Sequence, residues 1–433
     1  MKLGTEEIVI TPPLPIVMGG YGARKAPAND ISSDLKARTF VFKNGEKKVG
    51  LITVDIILLS RSQIKKIMER ASALTDINKE DIIISCSHTH SGPATRSFNL
   101  ENKKFNNIYS IDFKKPDPDY INWLIKALAG SLLKAEKNMF KVKLNTISGK
   151  LENLGKNRRD PKLPIDDQLT VLAFENENEN LKAVLINYSC HPTVLGADNL
   201  SISPDFPGEA IKQLNKIYPN TIFGFINGSA GDVSTRFTRR QQTIKEAKRF
   251  GSIMAAKVLT LINKIEYDTS NSAILKTGQI RLNLSFKNYP SLKELESEIE
   301  EKKLRLEKLK EKKPKDSEIR IAKTNYQGAL VQKKFASMVD KLENNIEINI
   351  WNMGNFVLIS IPGELFSKLG IKIKECSPFE KTIIATYSNG YIGYIPNKEA
   401  YEEKGYESLS TPLKKGYGEV IVGKVCEKLE KLY

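Results

Sequence analysis

"DIIISCSHTHSGP", residues 81–93, decides how this chain is read. A short, β-branched apolar run bounded by turn residues describes a buried strand, and this one empties into a loop closed by Gly92 and Pro93. The loop holds His88 and His90, two of the three histidines in 433 residues. Alternation along an extended exit predicts both rings on one side and Thr89 on the other. The third, His191 in "NYSCHPTVLG", follows the apolar strand "LKAVLINYSC" and precedes Pro192 in the same way. Imidazole is a common metal ligand and the usual acid/base group near neutral pH, so histidines confined to strand exits predict one shared site. A satisfied core histidine would explain one such position more easily than three.

Outward from this strand the pattern alternates between periods. "KARTFVFKNGEKKVGLITVDIILLS" (36–60) predicts two strands around an Asn44-Gly45 turn, and "SRSQIKKIMERASAL" (60–74) then has helical spacing. Further helices are predicted over 118–137, from about Asp205 in "DFPGEAIKQLNKIY", and over about 239–263. In the helix from Asp205, Pro207 falls in the first turn and Glu209 near the positive helix end. Interleaved elements of both kinds make an α/β fold, mixed β-sheets flanked by helices, expected as one large catalytic domain over 1–433. Residues 289–345 differ. Leu292, Leu295, Ile299, Leu306 and Leu309 fall at three-four spacing among Glu and Lys, and Pro314 breaks the run before a second helix through Leu342. This predicts an inserted charged helical hairpin that packs its narrow seam on itself; a docking arm is the lesser alternative.

Composition sets bounds. Hydrophobic residues make up 40% of the chain, enough for a large core, and no apolar run approaches the roughly 20 residues of a membrane span. "MKLGTEEIVITPP" lacks the layout of a signal peptide, which predicts a cytoplasmic protein. Cys86, Cys190, Cys376 and Cys426 are widely spaced without a C-x-x-C pair, so neither a disulfide framework nor a thiolate zinc cluster is expected, and Cys86 and Cys190 read as packing residues. The net charge of +16 is mostly lysine, without an arginine-rich arm or nucleic-acid motif, so no specific nucleic-acid partner is expected.

Three further stretches join strands to polar groups through glycine: "INGSAGDVS" (226–234), "ISIPGELFSKLG" (359–370) and "YSNGYIGYIPNKEAYEEKGYES" (387–408). Together with "HTHSGP", "NYSCHPT", "SPDFPGEA" and "GKNRRDP", their order resembles the neutral ceramidase family, zinc-dependent amidases that split ceramide into sphingosine and fatty acid. The resemblance runs to about residue 412, and departs at Val9 in "IVITPP" and at Thr235 after "DVS". It implies zinc (Zn2+) ligands at His88, His191, Glu364 and Tyr394, with His90 as general acid/base. It also implies Arg158 and Tyr406 as donors to the developing oxyanion, and Ser234 as a hydrogen-bond partner of the substrate amide. Arg158 is chosen over Arg159 by the family's Asn-Arg order. Glu364 alone could cap a helix, Tyr394 alone could be a buried aromatic, and Ser234 alone a turn residue. The implied partner is a lipid-like or small N-acyl amine, with peripheral membrane contact. The alternatives are a hydrolase for a small soluble amide or ester, and a non-catalytic protein that grips nucleic acid or an anionic membrane.

Overall fold

The computed structural model describes every residue except 97–114, 266–273, 313–315, 355 and 404, so the Pro314 break lies outside the described residues. Strands β1 (Lys2–Val9), β2 (Lys36–Asn44), β3 (Lys47–Val54), β4 (Ile82–Cys86), β5 (Met139–Lys150), β6 (Gln168–Asn176), β7 (Leu181–Tyr188) and β8 (Ile222–Asn227) form an eight-stranded sheet. Its spatial order is β8-β7-β6-β5-β1-β2-β3-β4. A second sheet orders β9 (Lys276–Asn283), β10 (Asn345–Asn352), β11 (Phe356–Ser360) and β12 (Lys381–Ala385) as β9-β10-β11-β12.

Side chains alternate along β2 and β3, and the two faces find different partners. Phe40, Phe42, Val49 and Leu51 pack with Trp351, Phe356, Leu358 and Ile383 of the second sheet. Val41, Ile52 and Val54 face the helices α1 (Arg61–Leu74) and α2 (Pro118–Lys137) instead. Helices α3 (Asp205–Ile217) and α4 (Ile244–Ile262) cover the same face further along. The second sheet's outer face is closed by α7 (Ser367–Cys376) and α8 (Tyr417–Leu432), after α5 (Leu292–Glu311) and α6 (Asp316–Met338) in the chain. The result is four layers, helix–sheet–sheet–helix, which satisfies the rule that each apolar face must find a partner. Phe40 is fully buried between the sheets. Phe40→Ala is expected to cost about 3–5 kcal/mol, read as a lower urea midpoint with an unchanged m-value.

One unit occurs three times: an antiparallel hairpin, a helix, then a strand parallel to the hairpin's second strand. These are β2-β3-α1-β4, β6-β7-α3-β8 and β10-β11-α7-β12. The C-terminal ends of parallel strands are where α/β folds place their sites. All three histidines and Glu364 follow such ends.

Several expectations need correction. The first hairpin pairs Asn44 with Lys47, so its turn is Gly45-Glu46 rather than Asn44-Gly45. Helix α4 starts at Ile244, because the Thr243 hydroxyl caps the Glu246 N–H. In the charged hairpin Leu295, Ile299 and Leu306 are buried, while Leu292 is exposed. That hairpin does not pack only on itself, since a side chain at Gly328 of α6 would meet Leu409 and Tyr406. Cys376 and Cys426 form a disulfide with Cα atoms 5.9 Å apart. No sequence spacing signalled it, because it depends on α7 and α8 lying side by side. Cys86 and Cys190 are buried and free, as packing residues are.

Candidate active site

Three pairs of strand ends converge on one buried cluster. His88 leaves β4 in the left-handed region at φ 68°, which a non-glycine residue adopts only when its surroundings impose it. The extended alternation predicted for this exit therefore does not hold, although the two rings do converge. Tyr387, at φ 53°, stacks on the His88 ring with centroids 3.8 Å apart. Thr89 turns away to donate to the Ser203 carbonyl.

Hydrogen bonds fix the tautomers of two rings. His88 Nδ1 lies 2.7 Å from the Ile57 carbonyl, and His191 Nδ1 lies 2.7 Å from that of Ala230 and 3.0 Å from that of Val233. Carbonyls only accept, so each Nδ1 carries the proton and each Nε2 presents a lone pair. Both Nε2 atoms face Glu364 Oε2, at 3.8 Å from His88 and 2.9 Å from His191. Lone pairs this close to a carboxylate oxygen require a cation or a further proton between them. Burial pushes His88 down to about 3, so its proton is hard to add. Burial raises Glu364, but the neighbouring His191, His88 and Arg158 side chains outweigh this and hold the carboxyl at about 2. Imidazoles anchored through Nδ1 with Nε2 free, beside an ionised carboxylate, are the donor set of a zinc-type cation. The residues present fit that ion.

His90 Nε2 is 3.3 Å from His88 Nε2, and burial holds its pKa well below the usual histidine range. Gly20, at φ 92°, lies so close to the His90 ring that any Cβ there would collide with it. Tyr394 is the register partner of Glu364 in a short parallel pair, which sets the two side by side. Arg158 donates Nε to Glu407 at 2.7 Å and brings Nη1 to 3.4 Å from His191 Nε2, while its buried Nη2 has no hydrogen-bond partner. Arg159 pairs with Glu403 instead. Tyr406 stands 5.9 Å from Tyr394, ring to ring. Ser234 lies beside His191 through a backbone bridge, but its hydroxyl accepts from the Arg236 N–H, a turn role. Glu364 caps no helix, since α7 begins after Phe366.

Sequence reasoning missed several residues. Tyr387 and Tyr391 both donate their hydroxyls to Glu364, and Glu407 anchors Arg158. Arg24 spans the carbonyls of Gly19, His90 and Asn199. Both tyrosines and Glu407 lie in the quoted 387–408 stretch, where only clustering of tyrosine signalled them. A cavity of about 930 Å³ opens onto His88, His90, Glu364, Tyr394 and Tyr406. Its walls join apolar side chains to a few convergent polar groups, as ligand sites do.

A family model described as "Neutral/alkaline non-lysosomal ceramidase, N-terminal" matches residues 2–248. The neutral ceramidase of Pseudomonas aeruginosa is 23% identical over 208 residues, 45% of this chain and 30% of that protein. That of Drosophila melanogaster is 25% identical over 260 residues, 54% of this chain and 36% of that protein. The matched part of the chain thus spans about a third of the length of these curated relatives. The crystal structure of the Pseudomonas neutral ceramidase aligns with 99% of this chain and 74% of its own, at a TM-score of 0.72 and 17% identity. A structure described as a ceramidase complexed with C2 aligns at a TM-score of 0.75, again with 17% identity, over 99% of this chain and 75% of its own. These structures share the fold. With the family model matching more than half of the sequence, this chain belongs to the neutral/alkaline non-lysosomal ceramidase family.

Proposed function

We propose that the protein is a zinc-dependent amidohydrolase that cleaves an N-acyl amide, ceramide or a related lipid-like N-acyl amine, to a fatty acid and an amine. The observation that carries this reading is the pair of histidine Nε2 lone pairs turned toward one ionised carboxylate at the end of a deep cleft. His88, His191, Glu364 and Tyr394 would hold the ion. Zinc bound there would supply Lewis-acid activation of water and of the amide carbonyl. His90 takes a proton and returns it to the leaving amine. Arg158 and Tyr406 donate to the oxygen on which charge develops, and Ser234 holds the amide. Within this reading residues 1–433 act as one catalytic domain and 289–345 as an inserted hairpin. The Cys376–Cys426 bond suits a compartment that does not reduce disulfides, which weighs against the cytoplasmic location expected from the N-terminal sequence. Among the described residues, no helix is long and apolar enough to cross a membrane.

A second reading of the ligands has its own support. The nearest nitrogens of His88, His90 and His191 all lie within 4.8 Å of one another, which suits a three-histidine set with His90 on the metal. The test of the function is elemental analysis together with turnover. About one zinc per chain, with release of fatty acid from short- and long-chain N-acyl sphingosines, is the expected result. Bound zinc without hydrolysis of any amide would overturn it.

A further inference from the structure

In the amidase reading both donors to the oxyanion depend on one four-residue helix, Tyr406–Leu409. Tyr406 lines the cavity itself, and Glu407 accepts from Arg158 Nε at 2.7 Å. A helix this short makes too few internal hydrogen bonds to hold its own shape, and its last carbonyls have no partner within it. Outside groups supply them. The Tyr406 carbonyl accepts from the Ser410 N–H and hydroxyl, at 2.8 and 2.6 Å. The Ser408 carbonyl accepts from Lys287 Nζ, a cation at the negative end of the helix. Lys287 lies about 120 residues earlier in the chain, between β9 and the α5–α6 hairpin, and its own backbone is fixed against the segment that follows the short helix. Its N–H donates to the Pro412 carbonyl at 2.9 Å, Phe286 bridges Leu413, and the Lys414 N–H donates to the Ser285 carbonyl at 2.8 Å. The ammonium stands 5.4 Å from the centre of the Tyr401 ring, whose hydroxyl donates to the Leu413 carbonyl. Lys287 therefore reaches the helix end from a base that is itself held in place.

We propose that Lys287 is a positioning residue: by holding the carbonyl end of helix Tyr406–Leu409 it sets Tyr406 directly, and Arg158 through Glu407, against the developing oxyanion. The proposal rests on the amidase reading and adds a residue to it. Lys287 does not line the cavity, so it acts on the reaction only through the helix it holds.

Lys287→Met keeps most of the packing of the side chain and removes the donor, so it is the variant that tests this on the zinc-loaded protein, with a short-chain N-acyl sphingosine as substrate. It is expected to lower kcat about tenfold to 100-fold, the cost of a catalytic group misplaced by about 1 Å, while KM stays within about twofold and zinc content is unchanged. Lys287→Arg, which restores a cationic donor, should recover most of the loss. In a Tyr406→Phe background Lys287→Met should cost about threefold less than it does in wild type, because one of the two groups it aligns no longer donates. A kcat within about twofold of wild type in Lys287→Met would overturn the proposal, as would a loss of the same size in the Tyr406→Phe background. If wild type hydrolyses no amide, the amidase reading fails, and amide hydrogen exchange decides whether Lys287 holds the helix. A peptide covering 405–410 should then exchange about tenfold faster in Lys287→Met than in wild type, with α7 unchanged. Equal exchange of that peptide in the two proteins would overturn the positioning role.

Discussion

Replacing His90 with glutamine is expected to lower turnover about 100-fold to 10,000-fold, the range for a positioned general acid/base, while zinc content and melting temperature stay near wild type. The expectation follows from what the ring does and does not touch. Its Nε2 faces the His88 ring at 3.3 Å, and the backbone around it is pinned by Arg24, which donates to the His90 carbonyl. Glutamine keeps the hydrogen-bonding reach of the side chain but cannot accept and release a proton at neutral pH. Burial keeps the imidazole neutral in the free protein, the form needed to take a proton before passing it to the leaving amine. Zinc content and turnover, measured on the same preparation, check the assignment. Loss of zinc in His90→Gln to the same degree as in His88→Gln would put His90 on the metal and favour the three-histidine set.

His88→Ala is expected to lose most of its zinc and, with it, the stability that the metal confers. A ligand that binds only the folded state stabilises it by mass action, about 4 kcal/mol at a concentration 1,000 times the dissociation constant. Melting in zinc should therefore fall well below wild type. A chelator should lower the wild-type melting temperature but scarcely move that of His88→Ala. This difference separates metal loss from the packing lost where the ring stacks on Tyr387. Equal chelator shifts in both proteins would show that His88 is not a ligand.

The first hairpin, the helix after it and the strand that ends at His88 were legible because their signals are local. Runs such as 36–44, the turn at Gly45 and the helical spacing of 60–74 and 118–137 each lie within a few residues of what they specify. The charged hairpin was legible too, from its three-four spacing. Its contact with Tyr406 was not, because the apolar face of α6 reads the same whether it meets α5 or a short helix some 80 residues away.

For the site, the sequence by itself determined the residue types and their setting. Its three histidines each follow an apolar strand, and glycine-rich loops carry Glu364, Arg158 and the tyrosines. Only the tertiary structure decided which nitrogen of His88 and His191 is free, because the acceptors of Nδ1 are the carbonyls of Ile57, Ala230 and Val233. Backbone carbonyls have no residue signature, and here they stand about 30 to 40 residues from the rings they orient. The same holds for the ion pairs of Arg158 with Glu407 and Arg159 with Glu403, and for the Cys376–Cys426 bond. Each is a meeting of side chains on separate elements, set by how the sheets and helices stack rather than by any local preference of the chain.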